Sequence, residues 1–147
     1  MGNWTSITAD DLKASGYGAI IDAARTSAVG SVDPVVEEIA NAVARVQRAV
    51  AAGNALDQDT AKVPNSLKAV TVRMVVFALM ERIRLNLTQD QRDTRRDDIS
   101  DLKRIQDTQQ RVETPDNPAG QAQMQSQPVP RISVPPRRFR NREEEGA

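Results

Sequence analysis

The hydrophobic residues concentrate in one stretch near the middle of the chain, between Pro64 and Leu87. Their offsets cover a full turn of the 3.6-residue helical period, so a helix here is apolar on nearly every side, as buried helices are. Pro64 suits the first turn, where the N–H that proline lacks has no partner within the helix. The pattern therefore predicts a central core helix over 64–87, about 36 Å long.

A membrane span is the competing interpretation of an apolar run of this length. Charged side chains interrupt the run, and each charge near the centre of a bilayer is costly. We therefore expect a soluble core helix and no contact with a membrane. The interrupting residues are Lys68, Arg73, Glu81, Arg82 and Arg84.

A second, narrower apolar pattern follows Asp33 and Pro34, where a capping side chain precedes a proline at the first helical position. Valine and isoleucine then recur every three or four residues, which predicts an amphipathic helix from Val35 to Gly53. Gly53-Asn54 is typical of a helix end closed by a left-handed residue. The apolar seam is too short for a coiled coil, so we expect it to pack against the central helix.

Shorter or more polar helices are predicted on either side of this pair. Thr8 is a candidate N-cap for a short first helix, and residues 19–28 suit a second one. Thr88 and Gln91 form a capping box at the start of a highly charged helix over 90–113. Its apolar stripe is thin and its arginines alternate with aspartates, so we expect an exposed helix whose charges pair with one another.

These patterns predict an all-α fold, a small helical bundle with two long core helices, a charged C-terminal helix and short N-terminal helices. Residues 1–113 form the predicted helical domain. Six of the eight prolines lie beyond Thr114, so residues 114–147 are predicted to be a proline-rich extended arm that becomes ordered on assembly. The predicted core of the domain comprises Val36, Ile39, Val43, Val46, Leu67, Val75, Val76, Leu79 and Ile83.

Composition restricts the chemistry of which the chain is capable. It has 20 basic and 20 acidic residues, and neither cysteine nor histidine. The usual zinc sites, thiol nucleophiles and imidazole bases are therefore excluded. Balanced charge provides no overall attraction to nucleic acid, and the few aromatic residues do not suffice for a base-stacking platform. We expect a protein that is not an enzyme and has no cofactor and no metal site.

The end of the chain carries an apolar and basic segment. Ile132 and Val134 alternate with polar neighbours between prolines, which suits a strand added to a partner. Arginines and Phe139 follow, and guanidinium groups pair well with carboxylates. We expect an arm that wraps a partner, and the alternative is a solubilising tail. The predicted partner-binding residues are Arg131, Ile132, Val134, Arg137, Arg138, Phe139, Arg140 and Arg142.

Several segments taken together resemble a known family: the neck adaptor (head–tail connector, or head-completion) proteins of long-tailed bacteriophages, notably the Mu-like adaptor group. Many members carry an Arg-Tyr-x-x-Pro segment after the long helix, which is absent from residues 51–61 here. The matching segments are Thr8-Ala9-Asp10-Asp11-Leu12, Val35 to Gly53, Val63-Pro64-Asn65-Ser66-Leu67 through Ile83, and Pro136-Arg137-Arg138-Phe139-Arg140.

The resemblance implies a non-enzymatic virion protein that forms a ring of about twelve copies beneath the portal at the capsid vertex. The ring would extend the DNA channel toward the tail, and DNA would pass through it without specific binding. The implied partners are neighbouring copies, the portal protein, and a tail-side connector or tail terminator protein, with the arm on the portal or on a neighbouring subunit. The implied location is the head–tail junction of the virion, with assembly in the host cytoplasm.

A helical nucleic-acid-binding or DNA-packaging factor is the alternative function. Such a factor needs a recognition helix with a basic face that nearby carboxylates do not neutralise. The candidate helix over 90–113 is mixed in sign.

Overall fold

A computed structural model of the chain describes residues 2–120. This part is mostly helical, as predicted, with five α-helices and a short two-stranded ribbon. In chain order the elements are β1 (Trp4–Ser6), α1 (Ala9–Ala14), α2 (Gly18–Thr26), α3 (Pro34–Ala51), β2 (Lys62–Pro64), a 3₁₀ turn (Asn65–Leu67), α4 (Lys68–Arg82) and α5 (Gln89–Gln106).

Helix α4 is central to the domain, since α1, α2, α3 and α5 all contact it. Its buried residues lie around its whole circumference, as the apolar pattern predicted. Six predicted core residues are buried, while Ile39 and Ile83 are half-buried against the core. The six are Val43, Val46, Leu67, Val75, Val76 and Leu79.

The prediction of one helix over 64–87 is wrong at both ends. Residues 62–67 form β2 and the 3₁₀ turn, so α4 begins only at Lys68. The helix stops after Arg82 because Arg84 adopts a φ of 59°. The N–H of Leu85 then donates to the carbonyl of Met80 at 2.8 Å, which closes the helix with a Schellman-type arrangement.

Helix α3 begins as predicted: the Asp33 carboxylate accepts from the N–H of Val35 at 3.0 Å, and Pro34 is the first helical residue. The predicted left-handed cap at Gly53 is wrong, because Gly53 has no positive φ. Gly53 instead leaves room for a neighbour, since a Cβ there would lie 2.5 Å from Thr108 Cγ2.

The assignment of Val36 to the core is also wrong, since its side chain is 60% exposed. Successive helical residues are rotated by about 100°. Val35 is fully buried on the face toward α4, and Val36 therefore projects to the side of that face.

Helix α5 has the predicted capping box, with Thr88 Oγ1 accepting from the N–H of Gln91 at 3.3 Å. It ends at Gln106 rather than near Glu113. Its predicted apolar stripe is thinner than expected, because Ile99 is 45% exposed. Leu102 and Ile105, which are buried, hold the helix against the domain.

The ribbon corrects the all-α prediction. Strands β1 and β2 pair antiparallel, with Thr5 opposite Val63. Each strand has three residues, too few to show an alternating pattern in the sequence. The ribbon buries Trp4 and Val63, and so extends the helical core.

The chain after α5 returns to the ribbon. The indole N–H of Trp4 donates to the carbonyl of Glu113 at 2.9 Å, and the Glu113 carboxylate accepts from the hydroxyl of Ser66 at 2.6 Å. The N–H of Asn3 donates to the Asp116 carboxylate at 3.0 Å. These contacts fasten the segment across both β1 and the start of the 3₁₀ turn.

A second set of contacts involves the loop between α3 and β2. The N–H of Gln58 donates to the carbonyl of Asn117 at 2.8 Å, and the N–H of Ala119 donates to the carbonyl of Leu56 at 2.7 Å. The packed part of the chain therefore extends beyond the predicted boundary at residue 113 as far as residue 120. The remainder of the predicted arm, including its partner-binding residues at 131–142, lies outside the described residues.

Candidate functional site

Helix α3 has an apolar face on its outer side in addition to the one that packs against α4. Val36, Ala40 and Ala44 recur every four residues on this outer side, and all three are exposed. They line a groove of about 400 Å³, which lies within the roughly 300–1,000 Å³ range of ligand pockets. We call it the α3 groove. It is lined by Ile7, Val36, Ile39, Ala40, Val43, Ala44, Gln47, Thr60 and Ala61.

Neighbouring loops form the walls of the α3 groove. Ile7 follows β1, while Thr60 and Ala61 belong to the loop before β2. Gln47 holds that loop against the helix, because its side-chain amide donates to the carbonyls of Thr60 at 2.9 Å and Lys62 at 2.8 Å. Every side chain that lines the groove is uncharged, so the groove suits an apolar segment of a protein partner.

The loop that precedes α3 exposes two further valines. Val29 is 102% exposed and Val32 is 65% exposed. The base of this loop is held by Arg25, whose guanidinium makes two hydrogen bonds of 3.2 and 2.9 Å to Oδ2 of Asp33. Together with the N–H of Val35, Arg25 lowers the pKa of Asp33 below its usual value. We call residues 28–33 the valine loop.

The charged side chains of α5 pair mainly with α4. The Arg73 guanidinium donates to both oxygens of Asp98 at 2.8 and 2.6 Å, which raises the pKa of Arg73. Asp98 is only 5% exposed. Arg95 pairs with Glu81. Predicted pairing within α5 exists but is looser, with Arg96 and Asp93 3.7 Å apart.

The three buried polar or charged residues of the described part are engaged internally. Asp98 binds Arg73, and the Thr71 hydroxyl donates to the carbonyl of Leu67 at 2.7 Å. Asp57 accepts from the N–H of Asp59 at 2.9 Å and from that of Asn117 at 3.2 Å. Each of these side chains has a structural hydrogen-bonding role. Among residues 2–120 there is no group of three or more acidic side chains that could hold a metal ion.

Two other grooves run along α3, and basic side chains line both. One lies between α3, α4 and α5 and includes Arg45 and Arg95 beside Met74 and Phe77. The other includes Arg45, Arg48 and Lys103. Within the described range no helix is long and apolar enough to cross a membrane.

Sequence reasoning missed the α3 groove, although its signal is present. The spacing of Val36, Ala40 and Ala44 was read as part of a single seam toward the core, whereas α3 has apolar residues on two sides. No protein-family model, no curated protein and no solved structure matches the chain.

Proposed function

We propose that this protein is a structural adaptor that assembles with copies of itself and with a phage portal. The observation that carries the proposal is the outward apolar surface formed by the α3 groove and the valine loop. Val29, Val32 and Val36 are each at least 60% exposed. Grouped exposed apolar residues mark surfaces that bind other proteins.

The internal chemistry of the domain favours an architectural role. Its buried carboxylates, Asp57 and Asp98, bind backbone N–H groups and an arginine of the same chain. A catalytic site instead brings titratable side chains together at a pocket where a substrate can reach them. The described groups serve to hold the fold, which is consistent with a protein that works by assembly.

The ring form of the proposal comes from the resemblance to neck adaptors. About twelve copies would surround the DNA channel beneath the portal, with a tail-side connector or tail terminator on the other side. A ring built from head-to-tail contacts needs two different surfaces on each copy. The α3 face is one candidate, and the arm with Arg131–Arg142 is the other.

The alternative of a nucleic-acid-binding factor has less support. Helix α5 is the candidate recognition helix, and the pairing of Arg95 with Glu81 and of Arg96 with Asp93 reduces the positive charge that it presents. A channel wall through which DNA passes suits such neutralised arginines, because each neutralised phosphate adds salt-dependent affinity.

The proposal can be tested with two matched charge substitutions on α3. Ala40→Glu places a carboxylate in the α3 groove, whereas Asn41→Glu places it about 100° around the same helix. Both positions are exposed, so both variants should fold. We expect Ala40→Glu to abolish assembly with the portal protein and Asn41→Glu to preserve it, as measured by analytical ultracentrifugation. Equal assembly by both variants would contradict a role for this surface.

A further inference from the structure

The α3 groove differs in charge from the two other grooves along α3. Its lining contains neither acidic nor basic side chains. The other two are lined by Arg45 with Arg95, and by Arg45 with Arg48 and Lys103. A segment that combines apolar and cationic side chains would be repelled by these two grooves and accepted by the α3 groove.

The described chain ends close to this groove. Gly120 follows Ala119, whose N–H donates to the carbonyl of Leu56. The loop that contains Leu56 continues to Thr60 and Ala61, which form a wall of the groove. Four residues span at most about 14 Å, so Gly120 lies within roughly 20 Å of that wall.

The chain that follows Gly120 has the chemistry that the groove requires. Ile132, Val134 and Phe139 are apolar, and residues 131–142 contain five arginines and no acidic residue. Eleven residues separate Gly120 from Arg131, and they span up to about 36 Å when extended. The segment therefore reaches the groove of its own chain.

Addition of this segment as a third strand to the ribbon is less suitable. The Gln47 amide already donates to the carbonyl of Lys62 on the outer edge of β2, and Pro64 lacks a backbone donor there. On the outer edge of β1, the Asp116 carboxylate accepts from the N–H of Trp4 at 3.4 Å. Side-chain packing in the α3 groove remains the better use of Ile132 and Val134.

We propose that residues 131–139 lie in the α3 groove of their own chain before assembly, with Ile132 and Val134 against its apolar floor. The short tether gives the segment an effective concentration on the order of millimolar at the groove. The segment covers the exposed part of α3 until a partner displaces it. This inference goes beyond the proposed ring and does not depend on it, because the groove, the tether and the segment belong to a single chain.

The absence of cysteine from the sequence permits a direct test with introduced cysteine pairs. One full-length variant carries Ala40→Cys with Ser133→Cys, and the matched control carries Asn41→Cys with Ser133→Cys. Positions 40 and 41 are both exposed. We expect the first pair to form its intramolecular disulfide about tenfold faster than the control at micromolar protein, because only position 40 faces the segment.

Adding Ile132→Ser and Val134→Ser to the first pair should reduce its rate to that of the control. Mobility on a non-reducing gel separates intramolecular from intermolecular disulfides, and a thiol reagent checks that Cys variants at both α3 positions react equally. Equal oxidation rates for the two pairs, or disulfides formed only between chains, would overturn the inference. The measurement uses no portal, so failure of the ring proposal leaves its outcome unchanged.

Discussion

Leu79 illustrates how strongly the central helix depends on individual side chains. It is fully buried in α4, whereas Leu85, three residues beyond the helix end, is 48% exposed. We predict that Leu79→Ala lowers the free energy of unfolding by about 2–5 kcal/mol, because it removes buried methyl groups and leaves a cavity. Urea denaturation measures the change, with Leu85→Ala as control. A loss below about 0.5 kcal/mol for Leu79→Ala would show that α4 is not the core.

Asp98 is the one acidic residue of α5 that we expect to matter for stability. It is buried against Arg73, while the adjacent Asp97 is exposed. Asp98→Ala should reduce the free energy of unfolding by about 1.5–3 kcal/mol, since it leaves the arginine without its charged hydrogen-bond partner. Asp97→Ala should change it by no more than about 0.5 kcal/mol. Equal losses from these two variants, compared by thermal unfolding, would contradict a structural role for the pair.

Among the elements, the segment 113–120 should respond to pH through Asp57. Hydrogen bonds from the N–H groups of Asp59 and Asn117 lower the pKa of Asp57 below its usual value. A carboxyl whose pKa is lower in the folded state stabilises the fold above its unfolded pKa of about 3.9, and this contribution is lost as the pH falls through the folded pKa.

We therefore predict that the segment 113–120 loosens below about pH 4. Trp4 reports on it, because it is the one tryptophan of the chain and its indole donates to the carbonyl of Glu113. Its fluorescence should shift to longer wavelength on acidification. In Asp57→Asn the side chain cannot titrate, so the acid transition should be smaller. Identical acid transitions in the two proteins would exclude Asp57 as the cause.

Helix starts were predictable from the sequence, and helix ends and strands were not. Thr8, Asp33 and Thr88 cap their helices through contacts within three residues, so their signals are local. Arg84 ends α4 in a left-handed conformation that favours glycine, and nothing in its residue type announces this. The docking of residues 113–120 depends on partners more than 50 positions away, such as Asp57 for Asn117.

The candidate site was less predictable than the core for a related reason. Buried positions on α4 follow from an apolar pattern that covers every side of one helix. The outward position of Val36 follows from which face of α3 meets α4, and that depends on tertiary packing. The predicted arm residues at 131–142 lie outside the described residues, so their role in binding a partner stays a prediction.

At the scale of the whole molecule, the account predicts weak binding to duplex DNA. Arginines of α5 pair with Glu81, Asp93 and Asp101, and the chain has no net charge. Fluorescence anisotropy at physiological salt should give a dissociation constant no tighter than that of non-specific binding, about 10⁻⁴–10⁻⁶ M. Sub-micromolar binding with a steep salt dependence would favour the nucleic-acid-binding alternative.

The arm makes a second prediction at this scale. Because residues 113–120 pack on the ribbon, a stop after Gly120 leaves those contacts intact. The truncated chain should therefore unfold at a temperature close to that of the full chain, yet associate poorly with the portal in ultracentrifugation. Full association by the truncated chain would reduce the arm to a solubilising tail.

The central claim is that this chain is a ring-forming adaptor, and electron microscopy of the full-length protein mixed with the portal protein of its phage tests it most directly. The account predicts closed rings of about twelve copies on one end of the portal, with a continuous channel and the α3 face at a subunit contact. Portals that carry no added ring at saturating protein concentration would contradict it.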